Sequence, residues 1–160
     1  MGQKTIAGGT VADAYVTLLA DRGIDYFFGN AGTDFAPIIE AFAKAQGNGT
    51  PAPKPMLVPH ENLAIHMAMG YYMVTGKPQV VMVHVNVGTA NSMNGLINAS
   101  RGNIPVIFSS GRTPFTEFGN KPGGRTREVH WPQEMFDQGS LAREFTKWDY
   151  ELRYPEQVTT

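Results

Sequence analysis

Apolar residues along this chain change their period from segment to segment, and each change predicts an element. Val11, Ala14, Tyr15, Leu18 and Leu19 recur at helical spacing until Gly23 closes the run, and Thr10 with Asp13 supplies a capping box at its start. Asp25 to Phe28 is a short aromatic run ended by Gly29, as expected of a buried strand. After Gly29-Asn30-Ala31-Gly32, Thr33 or Asp34 caps a second helix through about Gln46, with Pro37 tolerated in its first turn. Gly47 to Pro55 carries glycines, an asparagine and three prolines and reads as a surface loop.

Met56 to Val58 predicts a second buried strand, and Leu63, Ala64, Met67, Ala68, Tyr71 and Tyr72 form the stripe of a third helix that stops at Gly76-Lys77-Pro78. Val80 to Val85 is continuously apolar apart from His84, the pattern of a strand covered on both faces. Asn86 to Asn91 reads as a loop leading to a helix from about Ser92 to Arg101, and Ile104 to Ser109 is a fourth strand. Strands and helices alternating at these intervals imply an α/β fold: a doubly wound parallel sheet with helices on both faces. Beyond Gly111 the pattern loosens. Arg112 to Arg127 is too long and irregular for an ordinary connection, which points to a function or to packing on a partner. Trp131, Met135, Phe136, Leu141 and Phe145 are expected to cover a sheet face, and Pro155-Glu156-Gln157 opens a further helix.

Composition narrows the function classes. A chain of 160 residues with 42% hydrophobic content has the size of one domain with a real core. Its net charge of -1 and the lack of a Lys/Arg cluster argue against nucleic acid. With no cysteine there is no disulfide framework and no thiolate metal site. Met1 to Thr5 lacks a signal-peptide pattern and no apolar run is long enough for a bilayer, so a cytoplasmic protein without membrane association is expected.

The chemistry must come from three loops at the C-terminal ends of the predicted strands: Gly29 to Asp34, Pro59 to Asn62, and His84 to Asn91. Glu61 sits where a strand ends and a helix begins. It can meet a ligand there, or serve the helix N-terminus as a carboxylate favoured by unpaired N–H groups. His84 reads either as a hydrogen-bonded core histidine or as a proton carrier. Asn86 and Asn91 suit turns and caps. The first loop is not a full phosphate-binding glycine motif, and no His/Asp/Glu spacing suggests a metal site.

Three ordered motifs carry a family resemblance: Phe28-Gly29-Asn30-Ala31-Gly32-Thr33; His60-Glu61-Asn62 with Ala68-Met69-Gly70-Tyr71; and Val87-Gly88-Thr89-Ala90-Asn91 with Gly95. From about Thr10 to Arg112 the chain resembles the N-terminal pyrimidine-binding domain of thiamine-diphosphate enzymes, the family of acetolactate synthase, pyruvate decarboxylase and benzoylformate decarboxylase. His84, four residues before Gly88, matches the benzoylformate decarboxylase pattern, and Thr33 stands where that decarboxylase places a substrate-contacting serine. Ala31 departs from the usual Gly-x-Pro-Gly loop. The family's Gly-Asp-Gly motif, which holds diphosphate and magnesium in a separate C-terminal domain, does not occur here.

The resemblance implies one pyrimidine-binding domain over residues 1–160, the N-terminal part of a longer enzyme acting on 2-oxo acids as a decarboxylase or a carboligase. It implies thiamine diphosphate as cofactor, with magnesium bound through the other domain and no metal ligand in this chain. Glu61 would hydrogen-bond N1′ of the aminopyrimidine and turn its exocyclic nitrogen into a base for the C2 proton. Ala31, Gly32, Gly88 and Asn91 would line the cofactor, and Thr33 and His84 would face the substrate. The partner would be a diphosphate-binding domain of the same or another chain, in a homo-oligomer such as a dimer or tetramer. This chain alone would then be inactive. Two alternatives remain: a non-catalytic α/β binding module, or the small subunit of a two-chain 2-oxo acid decarboxylase.

Overall fold

The computed structural model of the protein describes residues 9–118 and 123–159. Met1 to Thr5 and residues 119–122 of the long segment lie outside this range. Helix α1 (Val11–Asp21) opens with the expected capping box: the Thr10 hydroxyl accepts the Asp13 N–H at 3.2 Å, and Asp13 Oδ2 accepts the Thr10 N–H at 2.7 Å. Its buried residues are Ala12, Val16 and Leu19; of the predicted stripe Leu19 is buried and Tyr15 packs partly buried on the same core, while Val11 faces solvent. Two overlapping stripes at helical spacing exist in this segment, and packing on the neighbouring helix selects one.

The sheet contains β1 (Tyr26–Asn30), β2 (Lys54–Leu57), β3 (Gln79–Val83) and β4 (Val106–Ser110), all parallel, in the order β2-β1-β3-β4. Strand order therefore reverses between β1 and β3, where Asn30 pairs with Val83. Helix α2 (Ala36–Asn48) follows a 3-10 turn at Thr33–Phe35 and ends at Gly49, whose φ of 65° closes the helix in the left-handed region. Helix α3 (Glu61–Thr75) ends likewise at Gly76, with φ 72°.

Alternation along the central strands builds two cores. Phe27, Val80 and Met82 face α1 and α2, together with Val16, Leu19, Phe35 and Ile38. Phe28, Val81 and Val83 face the other way, against Ala64, Ile65 and Ala68 of α3 and Leu96 and Ala99 of α5 (Met93–Arg101). Both faces of β3 are covered, which explains its uninterrupted apolar sequence. Gln79 is buried at its start without cost in unpaired groups. Its Oε1 accepts the N–H groups of Asp25 and Tyr26, and its Nε2 donates to the carbonyls of Lys77 and Pro78.

Three expectations are corrected. Strand β2 is an exposed edge rather than a buried strand, with Leu57 79% exposed, although the following Val58 is buried; strand order, not local hydrophobicity, decides which strand lies at the edge. The segment expected as a loop from Asn86 to Asn91 belongs to helix α4 (Val85–Asn91), which bends into α5 at Ser92. Phe136 and Trp131 cover no sheet face and stand exposed, while Ala142 from the same segment enters the core. At the far end, Pro155–Thr159 forms a 3-10 turn.

Candidate functional site

The three loops meet on one rim of the sheet because parallel strands end on the same side. Asn30 at the end of β1 donates through Nδ2 to the Val58 carbonyl at 2.9 Å, and the Val58 N–H reaches the Gly29 carbonyl at 2.9 Å. These two bonds fix the approach to α3. His60 caps the helix, accepting the Asn62 N–H on Nδ1 at 3.1 Å, so Glu61 becomes its first residue.

Glu61 is 9% exposed. Asn91 Nδ2 donates to its Oε2 at 3.2 Å, while no hydrogen bond from the described residues reaches Oε1. Oε1 instead lies over Gly88, where a Cβ would fall 3.4 Å from it and 3.2 Å from the Val83 Cβ. Helix α4 thus brings Gly88 and Asn91, three residues apart on one face, to the carboxylate. The result is a carboxylate on a buried residue with one oxygen steadied by Asn91 and the other packed against Gly88 and unpaired among the described residues.

A second group forms at the reversal of strand order. His84 Nδ1 lies 2.7 Å from Asp34 Oδ1, and His84 Nε2 lies 3.1 Å from Gln133 Nε2. Gly32 stands flat against the ring: a Cβ there would fall 2.2 Å from His84 Cγ. Directly after His84, Val85 has φ 40°, a conformation that costs a β-branched residue about 1–3 kcal/mol. The hydroxyls of Thr89 and Ser110 hold its carbonyl at 2.7 and 3.0 Å, and its side chain is buried. This turn lets β3 pass into α4 without an intervening loop.

The chain after β4 returns over the rim. Gln138, 5% exposed, donates to Ser110 Oγ and the Gly111 carbonyl at 2.8 Å each and to Thr89 Oγ1 at 3.2 Å. Glu134 binds Arg112, Arg125 and Thr113. Burial pushes the Glu134 carboxyl up, but hydrogen bonds from Arg112, Thr113 and the Met135 N–H outweigh it and hold the group below its ordinary range. Gln133, next in sequence, is delivered to His84 by this anchor.

Of the residues predicted from sequence, Glu61, Gly88 and Asn91 therefore form one cluster, and Gly32 and His84 another. Ala31 and Thr33 lie exposed on the rim between the β1 end and α2, and the Thr33 hydroxyl makes no hydrogen bond among the described residues. Asp34, read from sequence as a helix cap, is the partner of His84; a charged residue two positions after a loop glycine was the available signal. Gln133 and Gln138 left no signal, since both lie in a segment without period. Among the described residues no group of three or more His, Asp or Glu side chains is placed to hold a metal ion, and no helix is long and apolar enough to cross a membrane.

An open parallel sheet with its polar chemistry gathered at the strand-order reversal defines a ligand-binding domain of the doubly wound α/β class. Residues 9–141 match the thiamine pyrophosphate enzyme family, N-terminal TPP binding domain, and the chain belongs to that family. It is 34% identical over 101 residues to the acetolactate synthase large subunit of Haemophilus influenzae, covering 63% of this chain and 17% of that one. Benzoylformate decarboxylase of Pseudomonas aeruginosa is 27% identical over 149 residues, covering 93% and 25%. The fold superposes on the thiamine diphosphate-dependent 4-hydroxybenzoylformate decarboxylase of Rhodococcus jostii RHA1 with a TM-score of 0.70 at 25% identity, covering 94% of this chain and 26% of that chain. The chain thus spans about a quarter or less of the length of these relatives.

Proposed function

We propose that this domain holds the aminopyrimidine of thiamine diphosphate for an enzyme acting on 2-oxo acids, as a decarboxylase or an acetolactate-synthase-like carboligase. The observation that carries the reading is the Oε1 of Glu61, unpaired among the described residues and lying against Gly88 on a buried residue, with Oε2 steadied by Asn91. That arrangement fits a heterocycle with a ring nitrogen to be protonated: Gly88 lets helix α4 pack close to the carboxylate, whose unpaired oxygen accepts or shares the proton. Thiamine diphosphate, when bound, supplies the carbanion chemistry that a protein lacks.

On this reading Glu61 holds a proton at N1′, and Asn91 keeps its carboxylate in plane. Gly88, Gly32 and Ala31 admit the cofactor close to backbone. Thr33 and His84 face the substrate, where His84 Nε2 moves a proton. Diphosphate and magnesium belong to a further domain of the same or another chain, since a hard cation needs oxygen ligands of its own. The assembly is a homo-oligomer, and its compartment the cytoplasm.

The test is Glu61→Gln in the assembly that contains both domains. Deuterium exchange at C2 of bound cofactor should slow by about 10²-fold or more, the usual worth of positioned acid–base chemistry, while the thermal midpoint of the protein barely moves. Exchange at the wild-type rate would remove Glu61 from the mechanism.

A further inference from the structure

His84 is held from both sides, and the two contacts together specify where its proton sits. An ionised carboxylate can only accept, so the hydrogen between His84 and Asp34 sits on the ring nitrogen, and Gln133 Nε2 faces the opposite nitrogen, His84 Nε2, at 3.1 Å as a donor. A neutral imidazole that accepts at Nε2 carries its hydrogen on Nδ1, and Nδ1 lies 2.7 Å from Asp34 Oδ1. Two glycines clamp the pair in place. Gly32 lies against the ring, and Gly111 lies against Asp34 Oδ2, where a Cβ would come within 1.6 Å. That Oδ2 is buried and has no hydrogen-bond partner among the described residues. The carboxylate therefore spends its one strong contact on His84.

We infer that Asp34 is a positioning residue that fixes His84 as the Nδ1–H tautomer and aims its Nε2 lone pair across the rim, with Gln133 occupying the place of a substrate proton donor. Gln133 arrives on the return segment anchored by Glu134 and Gln138, and because its amide covers His84 Nε2 it must yield when substrate reaches the ring. The geometry alone supports the tautomer; only the identity of the substrate, a 2-oxo acid, rests on the function proposed above.

Substitution at position 34 makes the inference testable. An asparagine amide has one carbonyl and one NH2. With the carbonyl toward the ring it keeps the proton on Nδ1 as the carboxylate does. With the NH2 toward the ring it donates to Nδ1 and drives the proton to Nε2, the wrong-tautomer outcome known for carboxylate-to-amide changes beside catalytic histidines. Alanine offers Nδ1 no acceptor and removes the choice. The ring ¹⁵N shifts of the 160-residue protein, read at about pH 8.5 where an ordinary imidazole is neutral, distinguish the two forms.

The wild type should show His84 protonated at Nδ1, with a cross-peak from that proton to the Asp34 β-protons. Asp34→Ala should release the Nδ1–H tautomer, and Gln133→Ala should leave it unchanged. An Nε2–H signal in the wild type, or an unaltered Nδ1–H tautomer in Asp34→Ala, would overturn the inference; should that variant not fold, the wild-type cross-peak decides. In the assembled enzyme Asp34→Ala should lower turnover of the 2-oxo acid by about 10²-fold or more and leave C2 exchange at the wild-type rate. A released tautomer with full turnover would take His84 off the substrate while Glu61 and its exchange reaction stand.

Discussion

Alanine at position 32 asks whether Gly32 is required by the backbone or by the imidazole beside it. The backbone makes no demand, because φ -134° and ψ -163° are extended values that any residue adopts. The ring does. A Cβ would fall 2.2 Å from both Cγ and Nδ1 of His84 and 2.6 Å from Cδ2, against an ordinary carbon contact of about 3.5–4.0 Å. Ring or loop must shift by about 1.3 Å or more, and a 2.7 Å bond from Nδ1 to Asp34 does not survive that shift. Losing a charge-assisted hydrogen bond costs about 1.5–3 kcal/mol, while removing glycine from the unfolded chain returns about 0.4–1 kcal/mol.

The expected net loss is therefore about 1–2 kcal/mol. In a His84→Ala background the added methyl meets no ring, and the same change should be neutral or slightly stabilising. Urea unfolding of the four proteins at constant m-value gives the coupling as a double-mutant cycle, expected near 2 kcal/mol. An equal cost of Gly32→Ala with and without the imidazole would refute the steric account.

Three further outcomes are expected. Gln79→Leu should destabilise by about 3 kcal/mol or more, because it unpairs four backbone groups at a side chain with no exposure, at about 1–3 kcal/mol for each group left buried; urea unfolding measures it, and a loss under 1 kcal/mol would count against the reading. Since Glu134 titrates below its ordinary value of 4.5, the unfolded chain binds its proton first, so its contribution to stability is present above that pH and is lost as pH falls through the folded value. Glu134→Gln should flatten the acid limb of a stability–pH profile measured between pH 3 and 6. Calorimetric titration of the 160-residue chain with thiamine diphosphate and magnesium should show weak binding or none, since pyrimidine contacts are a few hydrogen bonds worth about 0.5–1.5 kcal/mol each; tight binding would locate a diphosphate site within this chain.

Sequence alone determined whatever is written in short-range pattern. The capping box at Thr10 and Asp13, the left-handed closure at Gly76, and the doubly covered run at β3 all depend on neighbours within a turn or a strand, so propensity and period reach them, whereas α2 runs past the expected end at Gln46 to close at Gly49. That Glu61 and the segment holding Gly88 and Asn91 meet on one rim was legible as well, because parallel strands release their following segments on the same side, although Gly88 and Asn91 were singled out by the family resemblance and lie in helix α4 rather than a loop. Tertiary structure decided the rest. The edge position of β2 follows from strand order, which no local pattern encodes. The helix at Val85–Asn91 starts from a positive φ that β-branched residues avoid, and it exists because Thr89 and Ser110, the latter from a different strand, hold the Val85 carbonyl. Asp34 and Gln133 reach His84 from fifty and forty-nine residues away, across a fold that must form before either has a partner. Contacts at such separations follow from packing, and packing is a property of the folded chain.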